Sequence, residues 1–95
     1  MSKFQQLDPL LHSQLRLAVM SLLIGVESAE FVYLKEETGA TAGNLSVQLD
    51  KLDKAKYITI EKSFRGKRPL TTLRITKTGI TAFEAYVKVL KGYIK

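Results

Sequence analysis

The sequence contains no cysteine and a single histidine, His12. Without cysteine there are no disulfides, no zinc–thiolate sites, no thiol nucleophile and no cysteine redox sensor. One histidine supports neither a metal cluster nor a nucleophile–base pair, and no paired carboxylates offer acid–base chemistry, so neither an enzyme nor a cofactor is expected. Ser13 beside His12 does not change this, because adjacent residues on a helix point apart. Long apolar runs are also missing. The stretch Leu10 to Val26 is interrupted by His12, Gln14 and Arg16 and is too short to cross a bilayer. Asp8-Pro9 precedes it and no small-x-small cleavage site follows, which argues against a secretory signal. No membrane contact is expected, and a reducing cytoplasm is the natural setting.

Basic residues are scarce in the first half. Residues 1–50 carry three bases (Lys3, Arg16, Lys35) against six acids, whereas residues 51–95 carry twelve bases against Asp53, Glu61 and Glu84. The formal charge of +6 is therefore the sum of −3 and +9. Between Lys62 and Lys77 there are six bases and no acid. A basic balance alone fits nucleic acid, an anionic surface or an acidic partner; a concentrated patch points to an electrostatic footprint. The 95 residues make one domain (1–95). A chain of this size buries only about 60–70% of its unfolded surface, leaving little room for a deep cavity.

Residues 1–6 are polar and expected to fray. Asp8-Pro9 reads as a helix start, with helix one running from Pro9 to Ile24 and ending at Gly25. Leu11, Leu15, Ala18 and Leu22 form one apolar stripe, and Leu10, Leu17, Met20 and Ile24 a second. A helix apolar on two sides is either central in a core or shared with a partner, and in so small a domain a partner is the expectation. Ser28 is the expected cap of helix two, Ala29 to Thr38. After Gly39-Ala40, Thr41 caps helix three, Ala42 to Ala55, whose core stripe is Leu45, Leu49 and Leu52. Its other face is Gly43, Asn44, Ser46, Val47, Gln48, Asp50 and Lys51, with Asp50 expected to pair with Lys54 at i, i+4.

The period then changes to two. Ile58 and Ile60 share one strand face, and Leu73 and Ile75 another, on either side of a Gly-containing tip from Phe64 to Pro69. Thr76 caps a last helix to Tyr93. Ile80, Phe83, Val87, Leu90 and Ile94 follow at spacings of 3, 4, 3 and 4, an a/d seam suited to a dimer contact over residues 78–94. The expected class is mainly α with a β-hairpin, in the order α-α-α-β-β-α, with room for a short extra strand before helix two. Two helices joined by a short Gly turn make a helix-turn-helix, and the hairpin after them makes it winged.

The ordered run FVYLKEETGATAGNLSVQLDKLDKAKYITIEKSFRGKRPLTTLRITKTG resembles small winged-helix transcriptional regulators of the MarR/ArsR-like kind, and the likeness extends from Leu7 to Leu90. Its pieces are Leu45-Ser46, Leu49 and Leu52 in the recognition helix, the wing Phe64 to Pro69, then Arg74 to Thr76 and Gly79. Two positions depart from the pattern. Val47 stands where a base is common, and Lys56 where a glycine is common before the first wing strand. The resemblance implies a sequence-specific DNA-binding regulator working as a homodimer on a palindromic site, with double-stranded DNA and a second copy of itself as partners.

On that reading, Thr41 and the helix N-terminus hold a phosphate, and Gly43 permits close backbone approach. Asn44, Ser46 and Gln48 offer hydrogen bonds, with Gln48 the leading adenine reader, Val47 fits a thymine methyl, and Lys51 touches backbone. In the wing, Lys62, Arg65, Lys67 and Arg68 bind phosphates or the minor groove around Gly66. The dimer seam is expected to use Leu10, Leu17, Ile80, Phe83, Val87, Leu90 and Ile94 on helix one, helix four or both. The alternative is a winged-helix module whose basic wing meets an acidic protein. A small-molecule effector is compatible with the pattern, but no residue specifies one.

Overall fold

The structure is a computed structural model and describes residues 4–94. Its elements are α1 (Gln14–Leu23), β1 (Ala29–Glu30), α2 (Phe31–Thr38), α3 (Ala42–Lys54), β2 (Ile58–Arg65), β3 (Arg68–Ile75) and α4 (Lys77–Tyr93). Four helices and a three-stranded antiparallel sheet of order β1-β3-β2 form a winged helix-turn-helix. The short extra strand is present. Ala29 pairs with Leu73 and Glu30 with Thr72, so these two residues are extended and α2 starts at Phe31 rather than behind a Ser28 cap.

The start of α1 also differs from the Asp8-Pro9 expectation. The Asp8 carboxylate accepts the Leu10 N–H at 2.9 Å, and its carbonyl accepts the N–H groups of Leu11 (3.1 Å) and His12 (2.9 Å). This local turn consumes the cap, and the helix begins only after Ser13. A short acid bonding its own downstream backbone is the usual competitor of a helix start.

The core draws one or more residues from almost every element. Leu11, Val19, Met20, Leu23, Leu34, Leu45, Leu49, Leu52, Ile58, Leu73 and Tyr86 are buried. The inward line of α1 is Val19, Met20 and Leu23, with Leu15, Leu17 and Leu22 on its half-buried flanks, so neither expected stripe is its centre. On α3 the expected stripe of Leu45, Leu49 and Leu52 is the buried one. Each such leucine contributes roughly 1.5–3 kcal/mol by leaving water.

Two junctions set the hairpin and α4 against the helices. At the end of α3, the Tyr57 N–H donates to the Leu52 carbonyl (3.0 Å) and the Lys56 N–H to the Asp53 carbonyl (2.9 Å). These are the paired bonds of a Schellman cap, whose C′ residue must be left-handed. Lys56 has φ 67°, so a lysine sits where glycine is favoured. At the start of α4, the Thr76 hydroxyl accepts the Gly79 N–H (2.9 Å) and donates to the Lys56 carbonyl (2.6 Å), while the Thr76 N–H donates to the Tyr57 carbonyl (3.0 Å). A Cβ on Gly79 would lie 2.9 Å from the Tyr57 carbonyl carbon and closer still to its oxygen, so only glycine fits.

Of the residues expected to fray, 1–3 lie outside the described residues. Phe4 packs on Tyr93 with ring centroids 5.1 Å apart, and the Tyr93 hydroxyl donates to the Gln5 carbonyl at 2.5 Å.

Candidate nucleic-acid interface

The turn between α2 and α3 is short because Gly39 takes φ 71° and reverses the chain. Thr41 then accepts the Asn44 N–H through its hydroxyl (3.1 Å), the expected cap. This leaves the first turn of α3 exposed at Thr41, Ala42, Gly43 and Asn44. With Leu45, Leu49 and Leu52 facing inward, a 100° step per residue puts Gly43, Val47, Asp50 and Lys54 on the outermost line. Ser46 and Lys51 flank it, also exposed. Nothing in the protein approaches within 4 Å of a Cβ built on Gly43, so the fold itself does not demand that glycine.

Gln48 is placed differently from the other candidates. It is half-buried on the flank facing α1, where the Arg16 guanidinium donates to its carbonyl oxygen. Its amide donates to the Asn44 side-chain oxygen (3.0 Å). Arg16 also donates through Nε to the Leu10 carbonyl (2.6 Å). Both polar ends of Gln48 are thus engaged, and its groups are not presented on the outer line. Asp50 makes no ion pair with Lys54 among the described residues. An exposed i, i+4 pair gains only a few tenths of a kcal/mol, too little to hold two solvated side chains together.

The wing is a tight hairpin. Arg65 pairs directly with Arg68 across the two-residue turn Gly66-Lys67, and Gly66 has φ 63° while Lys67 has no positive φ, the II′ pattern. Lys62, Arg65, Lys67 and Arg68 are all exposed. Like charges directly opposite each other on a hairpin repel, so this pairing of Arg65 with Arg68 disfavours the bare tip and favours an anion beside it. Arg65 is partly relieved by Glu30 at 3.1 Å, and Arg74 by Glu27 at 3.7 Å. These exposed pairs contribute at most about 1 kcal/mol and compete weakly with a phosphate. Alternation along β2 puts Phe64 on the same face as Ile58 and Ile60, beyond the end of the core; it is 72% exposed.

The seam candidates are not buried by the single chain. Leu10, Leu17, Ile80, Phe83, Val87 and Leu90 are half-buried, Leu10, Leu17, Phe83 and Leu90 packing against the protomer's own core, and Ile94 is 70% exposed just past the end of α4. His12 is exposed, and its Nδ1 lies 3.1 Å from the buried Tyr86 hydroxyl. Tyr57 donates to Asp8 at 2.6 Å. Burial, then the hydrogen bond to Asp8 and its negative charge, push this phenol up to about 12.

Sequence reasoning missed three residues here. Arg16 and Glu30 meet partners 32 and 35 residues away, and no local pattern signals that. Lys54 was accessible to helical arithmetic, because it falls on the outer line opposite the leucine stripe.

Residues 15–94 match the winged helix DNA-binding domain family. An uncharacterized protein of Methanocaldococcus jannaschii is 38% identical over 76 residues, covering 80% of this chain and 83% of that protein. A transcriptional regulator homologue from Pyrococcus horikoshii superposes with a TM-score of 0.83 at 26% identity, covering 90% of this chain and 84% of that one. A cysteine-to-serine mutant of MarR from E. coli, solved with operator DNA, superposes with a TM-score of 0.68 at 19% identity, over 83% of this chain and 54% of that one. No helix among the described residues is long and apolar enough to cross a membrane. The chain belongs to the winged helix DNA-binding domain family, a family of DNA-binding domains rather than enzymes.

Proposed function

We propose that this DNA-binding domain is a transcriptional regulator that acts as a homodimer on a palindromic site. The outer line of α3 enters the major groove of each half-site. Lys62, Lys67 and Arg68 of each wing, with Arg65 once it leaves Glu30, bind phosphates or the adjacent minor groove. Thr41 and the exposed first turn of α3 hold a phosphate, and Gly43 lets the helix backbone come close.

The observation that supports the dimer is the incompletely buried apolar face of α4. In a helix of 17 residues, only Gly79 and Tyr86 are buried. Phe83 and Val87 border an apolar groove with Ile24 beside α1, which supports a seam shared by both helices. The radius of gyration is 14.5 Å, and the longest dimension 57 Å. A compact chain of this length has a radius of about 12 Å, so the protomer is elongated.

The experiment is a mass measurement by light scattering on the wild type and Val87→Glu. The expected wild-type mass is twice the chain mass of 10.7 kDa, falling to a single chain in the variant. On DNA, the wild type should protect two half-sites about one helical turn apart, or a multiple of it. A wild type that stays at 10.7 kDa at tens of micromolar contradicts the dimer.

A further inference from the structure

One feature of the outer line of α3 is not explained by attraction to phosphate. Gly43, Val47, Asp50 and Lys54 follow at spacings of 4, 3 and 4, all exposed, and the centre of the line carries an acid. A carboxylate facing a polyanion raises its energy unless it is paired with a cation or bonded to a donor. Asp50 has no cation partner among the described residues, although Lys54 stands one turn away on the same line. Its neighbour Val47 is 51% exposed and carries no charge, and Gly43 leaves open space at the other end. The line is therefore poor in phosphate-binding groups where it should lie deepest: its one base, Lys54, stands at its C-terminal end, Lys51 lies on its flank, and the other bases are in the wing.

An ionised carboxylate only accepts hydrogen bonds. Guanine presents two acceptors to the major groove and thymine an acceptor and a methyl, so both repel it or leave it unpaired. Adenine presents its amine beside the N7 acceptor. Cytosine presents its 4-amino donor alone, which makes it the base that a lone carboxylate can satisfy without an opposing acceptor.

We propose that Asp50 is a specificity-determining residue that accepts a hydrogen bond from the 4-amino group of one cytosine in each half-site. The same carboxylate lowers affinity for every sequence that lacks cytosine at that place. The inference rests on the DNA-binding reading above and deepens it.

The test uses the full chain. Selection from a random duplex pool defines the half-site bound by the wild type, and anisotropy then compares duplexes with each of the four base pairs at each position. The wild type should prefer C·G at one position by roughly 5- to 150-fold, the usual cost of one mismatched base pair in a specific site. Asp50→Ala should bring that preference close to one-fold while binding an unrelated duplex more tightly, because a negative charge facing the phosphates is gone. Asp50→Asn should shift the preferred pair toward A·T, since an amide pairs with adenine through two bonds. An Asp50→Ala chain that keeps the wild-type base preferences, or loses affinity equally for all duplexes, overturns the proposal. Wild-type binding with unchanged preferences in the variant overturns it alone, whereas a wild type that binds no duplex at low salt overturns the DNA-binding reading as well.

Discussion

Replacing Gly79 by alanine should break the joint between wing and last helix. The new Cβ would fall 2.9 Å from the Tyr57 carbonyl carbon and 3.0 Å from Ile75 Cγ1, with the Tyr57 oxygen nearer still. Ordinary contact distances are near 3.5 Å or more, so the carbonyl must retreat by about 1 Å. It is not free to do so. It accepts the Thr76 N–H at 3.0 Å, and Thr76 both caps α4 and bonds the Lys56 carbonyl. Overpacking costs about 1–3 kcal/mol, and weakening the Thr76 bond adds about 1 kcal/mol. Alanine's better helix propensity returns up to about 1 kcal/mol. The net loss is about 1–4 kcal/mol, or a fall in Tm of roughly 4–30 °C for a domain of this size. Urea denaturation followed by circular dichroism measures it, with Gly92→Ala as the control. Gly92 has nothing within 4 Å of an added Cβ, so its substitution should be neutral or mildly stabilising. Equal midpoints for Gly79→Ala and wild type would show that the joint accommodates the added methyl without cost.

Three further outcomes follow from the same geometry. Gly43→Ala should leave the urea midpoint unchanged or raise stability by up to about 1 kcal/mol, yet weaken duplex binding in anisotropy, because the space it fills is open in the protein and is where the proposed docking brings the DNA. Lys56→Gly should stabilise by about 0.5–1 kcal/mol in urea titration, because the φ of 67° suits glycine; a loss of stability would contradict the cap assignment. Tyr57 is a raised-pKa group, so its contribution is complete below its unfolded value near 10 and is lost as pH rises through about 12. Denaturation midpoints of the wild type should therefore fall more steeply than those of Tyr57→Phe above pH 10.

The elements that the sequence displays clearly are those whose cause is local. The leucine stripe of α3, the Thr41 and Thr76 caps and the glycine tip of the wing each depend on residues within a turn or two, and each is where periodicity and capping chemistry put it. The start of α1 is not legible from Asp8-Pro9 because two local rules compete for Asp8, and the turn bonded to Leu10, Leu11 and His12 prevails over the helix cap. Neither stripe expected on α1 is its inward line, because its packing partners come from α2, α3 and the sheet. The resting state of Gln48 was illegible for the same reason. Its position on α3 was readable, but the arginine that takes its carbonyl is 32 residues away. The site thus changes in emphasis: Gln48 is tied back toward α1, while Gly43, Val47, Asp50 and Lys54 form the outer line.

In the proposed complex the basic half of the chain binds the DNA backbone while the outer line of α3 reads the bases. The most direct measurement is the equilibrium affinity for a labelled duplex as a function of salt. A dimer making about 6–10 phosphate contacts should lose roughly 10³–10⁵ in affinity between 50 and 200 mM salt, and Lys67→Ala with Arg68→Ala should reduce that slope. An affinity that does not change with salt, or a slope unaltered by removing both wing bases, would contradict the account.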